Sequence, residues 1–419
     1  MLAVVAGCNA TVPTSPSGAG GSDPAGGGVG GRGATGAGGA SLAGTGGQNG
    51  AGVGGQTGTP GTGGSASPGA GGSANPGAGG LTGAGGARAG SGGSGAGGAL
   101  AGTGGAPITG SDRCDVAVYD PAVMPRSLAI TNGENVHDPS MIQSGNTTYV
   151  FNSGLWTRTS TNLTSWTNIA QVLSPHPGWI DGMVPGVGDL WAPDVSFFNG
   201  LYHLYYAAST FNSKRSCIGH ATRAAMNTGN WAEDGRPVIC SNVDTTVNWN
   251  AIDPSVILDP AGTPWLVFGS GWDGIEIVRL TAAGAIDPTS TMSNIARRTA
   301  GVLEGATMVR RCGYYYLFMS WDRCCLGAQS TYNIRVGRST SMTGGFVDQA
   351  GVPLLQGGGT LLVGAGNGWV GPGGESVLFS GNRAYLVYHA YAATDGHFQV
   401  HVSDLYWDAS GWPVTTASP

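Results

Sequence analysis

The chain is predicted to be all-β: a five-bladed β-propeller preceded by a disordered Gly-rich tether. Three observations carry that prediction. A strand pair recurs five times along the C-terminal part of the chain, with a period of roughly fifty to seventy residues that suits propeller blades better than solenoid repeats. All 12 Trp, 13 Tyr and 9 Phe lie at or after position 119. Against that, 42 of the 100 positions from 11 to 110 are Gly, and such a segment cannot bury enough apolar surface to offset chain entropy.

Taken in order, the chain begins with Leu2-Ala3-Val4-Val5-Ala6-Gly7-Cys8. This stretch resembles the end of a bacterial lipoprotein signal in which Cys8 carries the lipid, without the basic n-region and full apolar h-region. Residues 1–8 are therefore expected to be a remnant of that signal. Residues 9–110 read as a linker with a reach on the order of 50 Å; its irregular Gly spacing argues against a collagen helix. Residues 111–419 are long enough for one domain with a real core. No stretch is long and apolar enough to span a bilayer.

Each blade opens on a short polar signature and continues into an apolar run. The five signatures are His137-Asp138-Pro139-Ser140, Ala192-Pro193-Asp194-Val195-Ser196, Ile252-Asp253-Pro254-Ser255, Leu303-Glu304-Gly305-Ala306 and Pro372-Gly373-Gly374-Glu375-Ser376. After a turn come the second runs, Thr148–Phe151, Tyr202–Tyr206, Pro264–Phe268, Tyr314–Phe318 and Ala384–Tyr388. The innermost strand of every blade starts near the propeller axis, so Asp138, Asp194, Asp253 and Glu304 are expected to converge on one spot.

Two carboxyl groups facing each other across a glycosidic bond can cleave it if one keeps its proton and the other stays ionised. Asp138 and Asp253 each precede a proline, in extended settings where N–H donors can hold a carboxylate. Glu304 lies in the uncharged stretch Gly301–Ala306 and has one more methylene of reach, so it is the expected carboxylic acid with a raised pKa. An Asp at a strand start also caps turns, and Asp194, in Leu190–Val195 beside Trp191, is expected to keep that structural role. A net charge of −6 with few scattered Lys and Arg speaks against nucleic acid and anionic membranes as partners. Setting Cys8 aside leaves six cysteines. In an exported chain they suggest disulfides, with Cys217–Cys240 as a blade staple and the adjacent Cys324-Cys325 either a vicinal ring at the pocket mouth or two separate thiols or two ordinary bridges. Their spacing matches no zinc motif.

In sequence order, His137-Asp138-Pro139, Leu190–Val195, Asn250–Ser255, Phe268–Trp272, Glu304-Gly305-Ala306, Cys324-Cys325 with Ser330–Tyr332, and Leu405–Asp408 with Gly411–Pro413 form a specific set. Through it the chain resembles glycoside hydrolase family 43 and, within it, the arabinanases. The resemblance implies an inverting hydrolase of α-1,5-linked L-arabinofuranosyl chains. Asp138 would be the general base, Glu304 the general acid, and Asp253 the residue that orients the acid and raises its pKa. It lends substrate contacts to His137, Trp191, Asn250, Ala251, Ile252, Ser270, Gly271 and Trp272, and a cleft edge to Ser209–Ser213. It implies no required cofactor. Arabinanases typically carry Gly-Pro-Gly-His beside a calcium, whereas Gly374 stands at that histidine's place here. His389 is then a candidate ligand, and Glu375 is expected to point to the opposite side of its strand. The implied partner is plant cell-wall arabinan. The enzyme would be an exported monomer, secreted or held at the cell surface as an outer-membrane lipoprotein. An exo-acting α-L-arabinofuranosidase or β-xylosidase on the same scaffold is the alternative, and a non-catalytic carbohydrate-binding lipoprotein is the reading from a different class.

Overall fold

The computed structural model describes residues 113–241 and 247–419. The lipoprotein-like start with Cys8 and the Gly-rich segment 9–110 lie outside the described residues. Within them, almost all regular structure is antiparallel strand, gathered into five sheets in sequence order: 140–171, 190–241, 255–296, 303–363 and 369–414. Four sheets have four strands, and the second has a fifth, Ile239–Ser241, paired with Ser216–Arg223. The first strands of the sheets are Ser140–Ser144, Leu190–Phe198, Ser255–Leu258, Leu303–Arg311 and Trp369–Ser380. Each contacts the first strand of the sheet before and after it, and the fifth contacts the first, which closes the ring. The predicted five-bladed propeller is the observed fold.

The sequence pattern explains the strands. Each predicted second run is the second strand of its blade: Thr147–Asn152, Leu201–Ala208, Pro264–Phe268, Tyr314–Trp321 and Arg383–Ala392. These strands lie between two others and are covered on both faces by neighbouring blades, so they read as continuous apolar and aromatic runs rather than alternating ones. Val150, Leu204, Tyr206, Leu266, Phe318, Leu386 and Tyr388 are all fully buried. The cores sit between blades, as in the cluster that joins Ile257 and Ile277 of the third blade to Met308, Leu317 and Met319 of the fourth.

The described chain begins and ends on the same blade. Val118 forms a parallel bridge with Trp407, while Ser127 and Glu134 bridge Ser403 and Gln399. Thr131 then bridges Ser165 of the first blade. Cys114 is disulfide-bonded to Cys312, in the hairpin of the fourth blade and 198 residues away. The expected Cys217–Cys240 bond staples two strands of the second blade, and Cys324–Cys325 forms the vicinal bridge.

Candidate active site

A left-handed residue stands just before or within each innermost strand. Asp138 has φ +50°, Ala192 +41°, Asp253 +55°, Gly305 +58° and Gly374 +60°. These five are equivalent positions. Asp tolerates this conformation better than most side chains because its short polar group bonds locally, and glycine adopts it without strain. The four acidic residues of the repeat therefore do not share one register position, as the sequence suggested. Asp138 and Asp253 sit on the left-handed residue itself. Glu304 stands one residue before it, level with His137, Trp191 and Ile252. Asp194 stands two residues after it, level with Ser140, Ser255, Thr307 and Ser376. One cleft nevertheless collects all four carboxyls, because the three levels are stacked along the axis.

The lowest level forms a belt that bonds blade to blade. Val195 N–H donates to Ser140 Oγ at 3.1 Å, and Ser255 and Thr307 hydroxyls lie 3.2 Å apart. Val256 N–H donates to Asp194, and Ser376 Oγ donates to the Pro139 carbonyl at 2.6 Å. Burial pushes the Asp194 carboxyl up to about 7, against hydrogen bonds from Val256 N–H and Ser196. The structural role expected of Asp194 agrees with this placement, although its carboxyl also lines the cleft floor.

Above the belt the carboxyls differ in environment. Burial opposes ionisation of Asp138, but His137 and His389 beside it and the Ser153 hydroxyl outweigh that and hold it well below the usual carboxylate range. His137 Nδ1 lies 2.8 Å from Asp138 Oδ2, to which Ser153 Oγ donates at 2.6 Å. Glu304 is only 5% exposed. Burial pushes its carboxyl up, against the Ser270 hydroxyl, which donates to Oε2 at 2.6 Å, and the Tyr332 hydroxyl, which donates to Oε1; the Asp138 charge adds to the rise. Asp253 is pushed well above its ordinary value by burial, then by Glu304 and Asp138, against the Gly305 N–H that donates to Oδ2 at 3.0 Å. Both carboxyls are buried and pushed up, Asp253 in part by Glu304 itself, so the Asp253–Glu304 pair retains a proton near neutral pH while Asp138 carries charge.

The other expected residues divide between the cleft and the layer behind it. His137, Trp191, Asn250, Ile252 and Trp272 line the cleft, as does the whole of 209–213. Trp191 stacks on Phe211 with ring centroids 4.9 Å apart, and Trp272 is 42% exposed, so both offer flat apolar faces. Ala251, Ser270 and Gly271 do not reach the lining. Ala251 is packed in the core beside Phe268, Ser270 is fully buried against Glu304, and the Gly271 N–H is spent on the Leu303 carbonyl. Glu375 also departs from expectation: it lines the cleft instead of pointing away from it. Ser320 Oγ donates to its Oε2 at 2.6 Å, and burial pushes its carboxyl up to about 8 against that bond. Sequence reasoning missed Ser153, Ser320 and Tyr391, which reach the site from second strands and loops that carry no motif, and gave no role to Tyr332, which closes the Ser330–Tyr332 segment.

Among the described residues, His137, Asp138 and His389 are the open cluster whose ligand atoms approach one another closely enough for a metal; the sulfurs of a second grouping, His137 with Cys324 and Cys325, are joined to each other. Calcium takes six to eight oxygen ligands, and this cluster offers one carboxylate and two imidazoles. His389 Nδ1 already accepts the Asp138 N–H at 3.2 Å. A Cβ added to Gly374 would lie 2.4 Å from Asp138 Oδ1 and 2.8 Å from His389 Nδ1. The space that a side chain at 374 would need is thus filled by His389 and Asp138, and the donor set does not fit calcium.

The sequence profile of glycosyl hydrolases family 43 matches residues 130–413. The extracellular endo-alpha-(1->5)-L-arabinanase 1 of Bacillus subtilis strain 168 is 39% identical over 292 residues, covering 67% of this chain and 88% of the relative. The extracellular exo-alpha-(1->5)-L-arabinofuranosidase ArbA of Cellvibrio japonicus is 34% identical over 299 residues, 67% of this chain and 86% of the relative. Among solved structures, a family 43 endo-arabinanase from Bacillus licheniformis superposes with a TM-score of 0.64 at 40% identity, covering 68% of this chain and all of that one. With the profile matched across nearly the whole propeller and the carboxyls of the repeat gathered at its axis, the chain belongs to glycosyl hydrolases family 43.

Proposed function

We propose that the protein is an endo-arabinanase that cleaves α-1,5-linked L-arabinofuranosyl chains with inversion. The observation that carries this reading is the unequal surroundings of three carboxyls in one cleft: Asp138 beside His137, His389 and Ser153, Asp253 and Glu304 buried together. Glu304 gives its proton to the glycosidic oxygen as the bond from the anomeric carbon to that oxygen breaks. Asp138 takes a proton from a water whose oxygen bonds to the anomeric carbon from the opposite face. Glu304 is left ionised and Asp138 protonated, and exchange with solvent resets both. Asp253 holds the Gly305 N–H beside the acid and keeps the shared proton on the pair. Trp191 with Phe211, and Trp272, supply faces on which sugar rings stack, while His137, Asn250 and Ile252 complete the contacts.

Relatives named as endo- and exo-acting enzymes both match the chain, so digestion of linear arabinan is the deciding experiment. Oligosaccharides of mixed length are expected; release of arabinose alone would replace the endo reading with the exo one, and activity on xylan only would replace the substrate. We further place the enzyme outside the cell, a reading supported by relatives named extracellular. There it acts as a monomer, tethered through residues 9–110 to a lipid on Cys8, and needs no metal for turnover.

A further inference from the structure

We propose that Tyr391 is a positioning residue: its hydroxyl sets which imidazole nitrogen of His137 carries the proton, and so orients the base Asp138. The inference rests on the reading of Asp138 as base. Tyr391 is buried on the second strand of the fifth blade, Arg383–Ala392. A phenol oxygen has one proton to donate and two lone pairs to accept with. The Cys325 N–H donates to this oxygen at 3.1 Å. The Ser330 side chain bonds to it as well, and because Ser330 Oγ accepts the Leu326 N–H at 3.0 Å, its own proton is free to point at the phenol. Both acceptor sites are thus taken, and the phenol's proton is directed to His137 Nε2, 2.5 Å away.

An imidazole that accepts at Nε2 carries its proton on Nδ1. Nδ1 is the atom 2.8 Å from Asp138 Oδ2. The opposite tautomer would face a lone pair onto a carboxylate at that distance, which is repulsive. In this arrangement Ser153 donates to Oδ2 and His137 Nδ1 lies 2.8 Å from the same oxygen, while the nearby His389 Nδ1 spends its lone pair on the Asp138 N–H. Oδ1 is left as the oxygen that receives the proton of the attacking water. The vicinal Cys324–Cys325 bridge lines the same cleft and carries the first donor of the chain. The groups facing Asp138 are therefore His137, His389 and Ser153, with Asp253, Glu304 and Glu375 across the cleft.

The test uses the full chain labelled with 15N-histidine. Two-bond 1H–15N spectra, with the His137 signals assigned from a His137→Gln variant, report the tautomer without reference to turnover. The expected result is a proton on Nδ1 in the wild type and a mixed or reversed tautomer in Tyr391→Phe. On arabinan, Tyr391→Phe is expected to lower kcat by about tenfold to a hundredfold, a share of the range open to general base catalysis, with KM within about twofold. A tyrosine that only fills space would leave kcat unchanged when replaced by Phe. A wild-type proton on Nε2, or wild-type kcat in Tyr391→Phe, overturns the inference. Should that variant fail to fold, Ser330→Ala removes one of the two donors, and an unchanged His137 tautomer together with unchanged kcat has the same force. A wild-type enzyme inert on arabinan would instead overturn the hydrolase reading, while the spectra still decide the wiring.

Discussion

Replacing Glu375 by Gln should make the protein more stable above neutral pH and less stable, by about 1–3 kcal/mol, at the acid end. The carboxyl is 5% exposed, its Oε2 accepts from Ser320 Oγ, and its Oε1 is buried without a partner. Burial pushes it from 4.5 to about 8. The folded state therefore binds this proton more tightly than the unfolded chain does. Its contribution to stability is fully present below about pH 4.5 and is lost as pH rises through about 8. At about 1.4 kcal/mol per pH unit over that interval, the loss accumulates to about 5 kcal/mol. Glutamine keeps an acceptor for Ser320 and has no proton to lose, at the cost of an unsatisfied amide worth about 1–3 kcal/mol. Urea denaturation of both proteins at intervals from pH 4 to 9 should give curves that diverge across this window, with the wild type falling relative to the variant. Parallel curves would refute the assignment of a neutral, buried carboxylic acid at this position.

Other outcomes follow from the same geometry. Glu304→Gln and Asp138→Asn should each lower turnover on arabinan by about 100-fold to 10,000-fold without lowering the thermal midpoint appreciably, and proton NMR of the first product should show inverted configuration; retention would exclude the base role of Asp138. Gly374→Ala should lower kcat at least about tenfold, since its Cβ would meet Asp138 Oδ1 at 2.4 Å and displace the base. Removing the Cys114–Cys312 bond by a double Cys→Ser substitution should cost about 5 kcal/mol, given the length of the loop it closes, read as a lower urea midpoint with activity retained below the transition.

The blades were legible in the sequence because a strand covered on both faces must be apolar along most of its length, as Tyr314–Trp321 is with Ser320 the one exception. The convergence of the carboxyls was legible because equivalent strand starts meet at an axis. Their register was not. A shift of one or two residues about a left-handed backbone position moves Glu304 up and Asp194 down, and nothing in the repeat marks which residue takes φ near +50°. Glu375 was misjudged for the same reason: strand alternation does not hold beside irregular pairing, which interrupts the register on both sides of Gly373. Ser153 and Tyr391 come from parts of the chain that carry no signature, Tyr332 closes the Ser330–Tyr332 segment with nothing there to mark its role, and single hydroxyls carry no spacing to read. The substrate-contact residues split by depth: Ser270 is one layer too deep to touch sugar and holds Glu304 instead.

The strap formed by residues 114–134 bears on how the molecule would carry mechanical load. Force entering at Arg113 reaches a covalent bond one residue later and passes into the hairpin of the fourth blade through Cys312. With that bond cut, the same pull would reach the parallel bridge between Val118 and Trp407 and the bridges to Ser403 and Gln399, and would peel the chain from the blade that also holds its C-terminal end. Single-molecule extension from the N-terminal side should therefore show one high-force rupture in the oxidised protein and a lower, stepwise opening after reduction.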